Sequence, residues 1–117
     1  MALDAFFNKR EASAVDLLAS ANYKQHDPSM ADGKEGLKTL INSLPATLKV
    51  EFGAQAADAD LVWTHSRYSG MPNMTASIIV DIFRVEDGKL VEHWDVVQSE
   101  VTADKTVSGN AMFPIEL

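Results

Sequence analysis

The spacing of apolar residues changes once along the chain, near Pro45, from a helical period to strict alternation. From about Lys9 to Ala21, the apolar residues Ala14, Leu17, Leu18 and Ala21 recur at helical spacing while Ser13, Asp16 and Ser20 turn the other way, which predicts a first helix. Asn8 and Glu11 stand at capping-box positions ahead of it, and Leu3, Phe6 and Phe7 form an apolar knot upstream. Asn22 to Gly33 is rich in turn formers, and Pro28 disfavours helix at Asp27, so this stretch is predicted to be a loop. Asp32, with Glu35 three residues on, forms a second capping box before Leu37, Leu40, Ile41 and Leu44, predicting a helix from about Gly33 to Ser43 that Pro45 stops.

Four alternating runs follow, Thr47 to Gln55, Ala59 to Ser69, Thr75 to Glu86 and Lys89 to Val101. Asp87-Gly88 between β-rich runs is the strongest hairpin signal. Helices followed by an antiparallel meander predict an α+β fold in which N-terminal helices pack on a strongly curved antiparallel sheet, leaving a pocket between the layers. The tail from Thr102 to Leu117 carries Gly109, Asn110 and Pro114 and is expected to run irregularly along the body, held by Met112 and Phe113. Nothing in the composition marks a second unit, so one domain over residues 1–117 is expected.

Composition narrows the function classes. Ten Lys and Arg against seventeen Asp and Glu give a net charge of −7, which repels a phosphate backbone, so no nucleic-acid partner is expected. The absence of cysteine removes thiolate metal sites and a cysteine nucleophile and favours a reducing, cytoplasmic setting. No window approaches the roughly 20 consecutive apolar residues of a membrane span. With neither a Gly-x-Ser-x-Gly elbow nor a glycine-rich phosphate loop present, no nucleotide cofactor is expected. His26, His65 and His93 match no compact ligand spacing, so no metal is expected either.

Residues two apart on a strand share a face. His93, Asp95 and Val97 therefore look one way and Glu92, Trp94, Val96 and Gln98 the other; Ile79, Asp81 and Phe83 share a face, as do Trp63, His65 and Arg67. Across a two-residue turn at Asp87-Gly88, positions summing to about 175 oppose each other, so Asp81 should lie near Trp94, and a slip of one sets it beside His93 or Asp95. A mid-strand aspartate is usually solvated. Here Ile78, Ile79, Val80, Ile82, Phe83 and Val85 make the strand apolar on both faces, so a charge within it must be paired or functional. Two carboxylates and an imidazole in one pocket are the material of general acid/base catalysis.

The stretches Asn22-Tyr23-Lys24-Gln25-His26-Asp27-Pro28, Asp32-Gly33-Lys34-Glu35-Gly36 and Asp81 to Gln98, the last containing Gly88-Lys89-Leu90-Val91-Glu92-His93-Trp94-Asp95, resemble the SnoaL-like polyketide cyclases of the wider nuclear-transport-factor-two-like and ketosteroid-isomerase-like superfamily. The resemblance spans about Phe7 to Phe113. It implies a cone-shaped α+β barrel, a small apolar carbonyl-bearing ligand, a homodimer, and a metal-free intramolecular aldol condensation. By the same resemblance Asp95 would be the general acid/base and His93 beside it would stabilise the enolate, with His26, His65, Asp81, Trp94, Trp63 and Phe83 as pocket or supporting residues. Relatives carry a longer first helix, whereas six residues precede Phe7 here, so a more open mouth is expected unless a second subunit or the tail covers it. Two alternatives stay open: a non-catalytic binding module of the same fold, and an epoxide or ester hydrolase using Asp81, Asp95 and Arg67.

Overall fold

The computed structural model describes residues 14–117. The expected cap at Asn8 and Glu11, the knot of Leu3, Phe6 and Phe7, and the question of the shortened first helix lie outside these residues. Two helices, α1 (Ala14–Leu18) and α2 (Gly33–Ser43), pack on one face of a curved five-stranded sheet built from β1 (Ala19–Gln25), β2 (Lys49–Asp58), β3 (Leu61–Ser69), β4 (Ser77–Glu86) and β5 (Lys89–Ser99). The strand order is β1-β5-β4-β3-β2. Among the described residues no helix is long and apolar enough to cross a membrane.

The four strands and α2 follow the expected pattern, and the front of the chain does not. The predicted first helix ends at Leu18, and the chain continues as β1 through residues expected to be helix and then loop. β1 lacks β-branched residues and buries only Ala19 and Tyr23, so neither propensity nor alternation betrays it; pairing with β5 overrides local preference. That pairing is parallel, so the sheet is mixed rather than antiparallel, and it is open, with β1 and β2 as its edges, rather than closed into a barrel. Asp32 does sit at the N-cap of α2, but makes no side-chain cap; its carboxylate instead accepts the backbone N–H of Gln25 at 2.8 Å, tying the helix start to the end of β1.

The β4–β5 ladder contains the irregularity on which the site depends. Glu86 opposes Lys89 and Val85 opposes Leu90, as the Asp87-Gly88 turn dictates; Val91 is then an extra residue, so Arg84 opposes Glu92 and Asp81 opposes Asp95. A one-residue bulge shifts every later pair by one position. Without it Asp81 would share a face with Trp94.

The core joins both helices to the covered face of the sheet through Val15, Tyr23, Leu37, Ile41, Val50, Phe83 and Leu90. The tail follows its expected course: the Met112 sulfur accepts the Val101 N–H at 3.2 Å, and the Phe113 ring lies 5.5 Å from that of His65.

Among the described glycines with left-handed backbones, Gly88 and Gly70 differ in their surroundings. Gly88 (φ +76) faces open space, whereas a Cβ on Gly70 (φ +87) would lie 1.9 Å from the Thr47 carbonyl oxygen. Gly88→Ala is expected to cost about 1 kcal/mol, for its φ alone, and Gly70→Ala at least about twice that. Urea denaturation of both variants checks the order; equal losses would show that the chain yields freely at Thr47.

Candidate active site

The cavity lies between the covered face of β3–β5, the end of β1, the loop that follows it, and α2. It encloses about 40 Å³, room for little more than a few waters. Tyr68 from β3, Ile79, Asp81 and Phe83 from β4, and His93 and Asp95 from β5 form the sheet side; Tyr23 and Gln25, Met30 and Leu37 close it.

The hydrogen bonds place a proton on His93 Nδ1. The Gln25 side-chain oxygen accepts the Asp27 backbone N–H at 3.0 Å, which orients the amide, and the same oxygen faces His93 Nδ1 at 2.6 Å. An oxygen can only accept here, so Nδ1 carries the proton. The other nitrogen, Nε2, faces Asp81 Oδ1 at 2.8 Å and stands 3.9 Å from Asp95 Oδ2, beyond hydrogen-bond reach. Asp81 Oδ2 accepts the Tyr68 hydroxyl at 2.8 Å. Gln25, His93, Asp81 and Tyr68 thus form one buried chain of donors and acceptors.

Asp95 sits outside that chain and faces another carboxyl. Asp27, in the turn after β1, is buried, and its Oδ1 accepts both the backbone N–H and the hydroxyl of Ser29, at 2.7 and 2.6 Å. Burial, the hydrogen bond with Asp27, and the charges of Asp27 and Asp81 push Asp95 up to about 8. Burial also pushes Asp27 up, but the hydrogen bonds from Asp95 and Ser29 outweigh it and leave Asp27 below the ordinary carboxylate range. The two acids share one proton, held at neutral pH on Asp95. Burial, then the Asp81 charge, pushes the Tyr23 hydroxyl upward, so it is neutral and a donor. Among the described residues no acceptor faces the Tyr23 proton.

Of the residues singled out from sequence, Asp95, His93, Asp81 and Phe83 come together in this cavity. The other four do not line it. Trp63 and His65 lie on the outer face, because their partners Ile82 and Val80 do; the covered positions of β3 are Thr64 and Ser66, both fully buried. Trp94 is also on the outer face, stacked on His26 with ring centroids 4.8 Å apart, and His26 Nε2 pairs with Glu92 at 2.6 Å. Arg67 bridges Glu51 and Glu100, 3.0 Å from each, so the carboxylate-and-arginine hydrolase arrangement lacks its arginine. Sequence reading missed Tyr23, Gln25, Asp27 and Tyr68. Tyr23 and Gln25 lie two apart on β1 and Asp27 just beyond its end, a placement that no local signal marks and that the expectation of a loop concealed.

His93 Nε2 and one oxygen each of Asp81 and Asp95 lie within 4.8 Å of one another, the donor set among the described residues that comes nearest to a cation site. Two of those atoms are already bonded to each other, so a cation would have to break the His93–Asp81 contact.

The model of the SnoaL-like domain family matches residues 2–93. No curated protein matches the chain. Solved structures of similar fold include TsrD from Streptomyces laurentii, with a TM-score of 0.66, 20% identity and 82% of each chain covered. A proposed polyketide cyclase from Bacillus cereus superposes with a TM-score of 0.68 at 21% identity, over 82% of this chain and 71% of that one. An epoxide hydrolase of M. tuberculosis does so with a TM-score of 0.64 at 19% identity, over 83% and 80%. At these identities the likeness is one of fold.

Asp95 carries a pH signature. Its folded-state pKa of about 8 lies above the unfolded value, so the stability it contributes is full below about pH 4 and is lost as pH rises through 8. Asp95→Asn removes that loss. The variant is expected to melt close to wild type at pH 5 and at least about 4 °C higher at pH 9, the equivalent of about 1 kcal/mol. A melting difference that does not grow with pH would show that Asp95 is ionised throughout.

Proposed function

The chain belongs to the SnoaL-like domain family, and from that premise we propose that Asp95 is the general acid/base of a proton transfer next to a carbonyl, of the intramolecular aldol or isomerisation type. The observation that supports this most is the buried Asp27–Asp95 carboxyl pair in a largely apolar cavity: it gives a carboxylate whose basicity is matched to neutral pH. The ionised fraction of Asp95 takes the proton from the carbon beside the carbonyl, and the C–H electron pair moves onto the carbonyl oxygen as an enolate. The Tyr23 hydroxyl donates to that oxygen. In the aldol case the enolate carbon attacks a second carbonyl of the same molecule, and Asp95 returns its proton to the new alkoxide; in the isomerisation case the proton returns to another carbon. His93, expected to hold the enolate, has both nitrogens engaged by Gln25 and Asp81, so its role is to position Asp81, whose charge adds to burial and Asp27 in keeping Asp95 basic.

Deuterium uptake from D₂O into the α-carbon of an enolisable ketone tests the chemistry directly. The rate is expected to rise with pH and level off above about 8, where Asp95 is ionised. Asp95→Asn should lower it about 10²–10⁴-fold and Tyr23→Phe about 10²-fold. Ketone binding without any exchange in the wild-type protein would instead establish a non-catalytic binding module.

A homodimer in a cytoplasmic setting is part of the same proposal. Trp63, Val96, Ile115 and Leu117 expose apolar surface along the outer face, and exposed apolar sets of this kind mark interfaces. Sedimentation velocity is expected to give twice the chain mass, and Val96→Glu to return it to the monomer; a wild-type monomer would leave that face without a partner copy.

A further inference from the structure

Beside the acid cluster lies a larger hollow of about 170 Å³, walled by Leu40, Leu44 and Leu48 and rimmed by Met71 and Met74. Met30, Tyr68 and Ile79 border both spaces. Tyr68 is tied to Asp81, and Ile79 is held in the ladder opposite Ser66 and Val97. Met30 comes from the loop between β1 and α2, and its unbranched, three-rotor side chain is the one of the three that can move aside at small cost. The acid cluster alone is too small for an organic substrate; joined to its neighbour past Met30, it is not.

Charge restricts what can enter. Among the described residues no lysine or arginine lines either space. Lys34 and Lys38 are held by Asp16, Arg67 by Glu51 and Glu100, and Arg84 by Asp60 and Glu92. An anion brought up to Asp27, Asp81 and Asp95 would lose its hydration and meet like charge, with no lysine or arginine among the described residues to offset either. Size restricts it too, since both spaces fall below the ~300 Å³ at which sites for drug-sized ligands begin.

We propose that the leucine- and methionine-walled hollow seats the hydrocarbon body of the substrate, that Met30 is the partition which swings aside to join it to the acid cluster, and that the ligand class is an uncharged ketone of one or two fused rings. This rests on the acid/base reading and adds to it the ligand's size, charge and direction of entry.

The full chain labelled at its methionine methyl groups, assigned with single Met→Leu variants, reports on all of these points by NMR. With 1-tetralone as the uncharged probe, the Met30, Met71 and Met74 signals are expected to shift along one binding curve, while Met112, whose sulfur accepts the Val101 N–H, stays in place. The anionic probe 1-naphthoate should bind at least ~10-fold more weakly, a difference of about 1.4 kcal/mol. No binding of tetralone, binding that leaves Met30 unmoved, or equal affinity for naphthoate would each overturn the proposal. Deuterium uptake by the tetralone, read in the same tube, separates the two readings: shifts without uptake keep the compartment and sink the acid/base chemistry, and uptake with Met30 unmoved does the reverse.

Discussion

One extra residue in one strand decides what kind of site this protein has. Val91 interrupts the β4–β5 ladder, and beyond it Asp81 opposes Asp95 instead of Trp94. A regular hairpin from the same turn would leave one acid in the cavity and the other outside, with an indole in its place. Because side chains alternate with a period of two, the shift is all or nothing. The bulge also lets Leu90 and His93, three apart, face the same side, so one strand serves both the apolar core and the polar cavity.

Around a volume of a few waters the fold then gathers three carboxyls and an imidazole: Asp81, His93 and Asp95 line the cavity, and Asp27 lies against Asp95. Such crowding is tolerable only if each group has a partner that fixes its state. Gln25 holds a proton on His93 Nδ1, His93 Nε2 and Tyr68 face Asp81, and Ser29 satisfies Asp27. Asp95 is the member left to compensate by keeping its proton. Its basicity is therefore a property of the set, and each support contributes to it from a different element of the fold.

The outer face of the same strands has a different chemistry. There His26 stacks on Trp94, the Arg84 guanidinium lies 5.6 Å from the centre of the Trp94 ring, and Glu92 accepts from both His26 and Arg84. Aromatic and charged residues that look like site material in sequence here brace the exposed side of the sheet. At its middle the covered face of β3 carries the small polar Thr64 and Ser66, with Tyr68 beyond them, while Trp63 and His65 lie on the outer face. Trp63 and His65 were expected in the pocket from the family resemblance, and alternation alone left their side open.

By itself the sequence determined what is local: the helix from Gly33 to Ser43, four strands and their turns, and the sharing of one face by His93 and Asp95. Period and turn chemistry act over a few residues, and for these elements they agree. Tertiary structure alone decided the rest. β1 has no strand signal of its own and exists because β5 offers it an edge; with it Tyr23 and Gln25 enter the cavity, and Asp27 just beyond it comes against Asp95. Alternation says which residues share a face but not which face the helices cover, because that depends on contacts between distant segments. The basicity of Asp95 is likewise invisible in sequence: it arises from burial and from Asp27, 68 residues earlier, being folded against it.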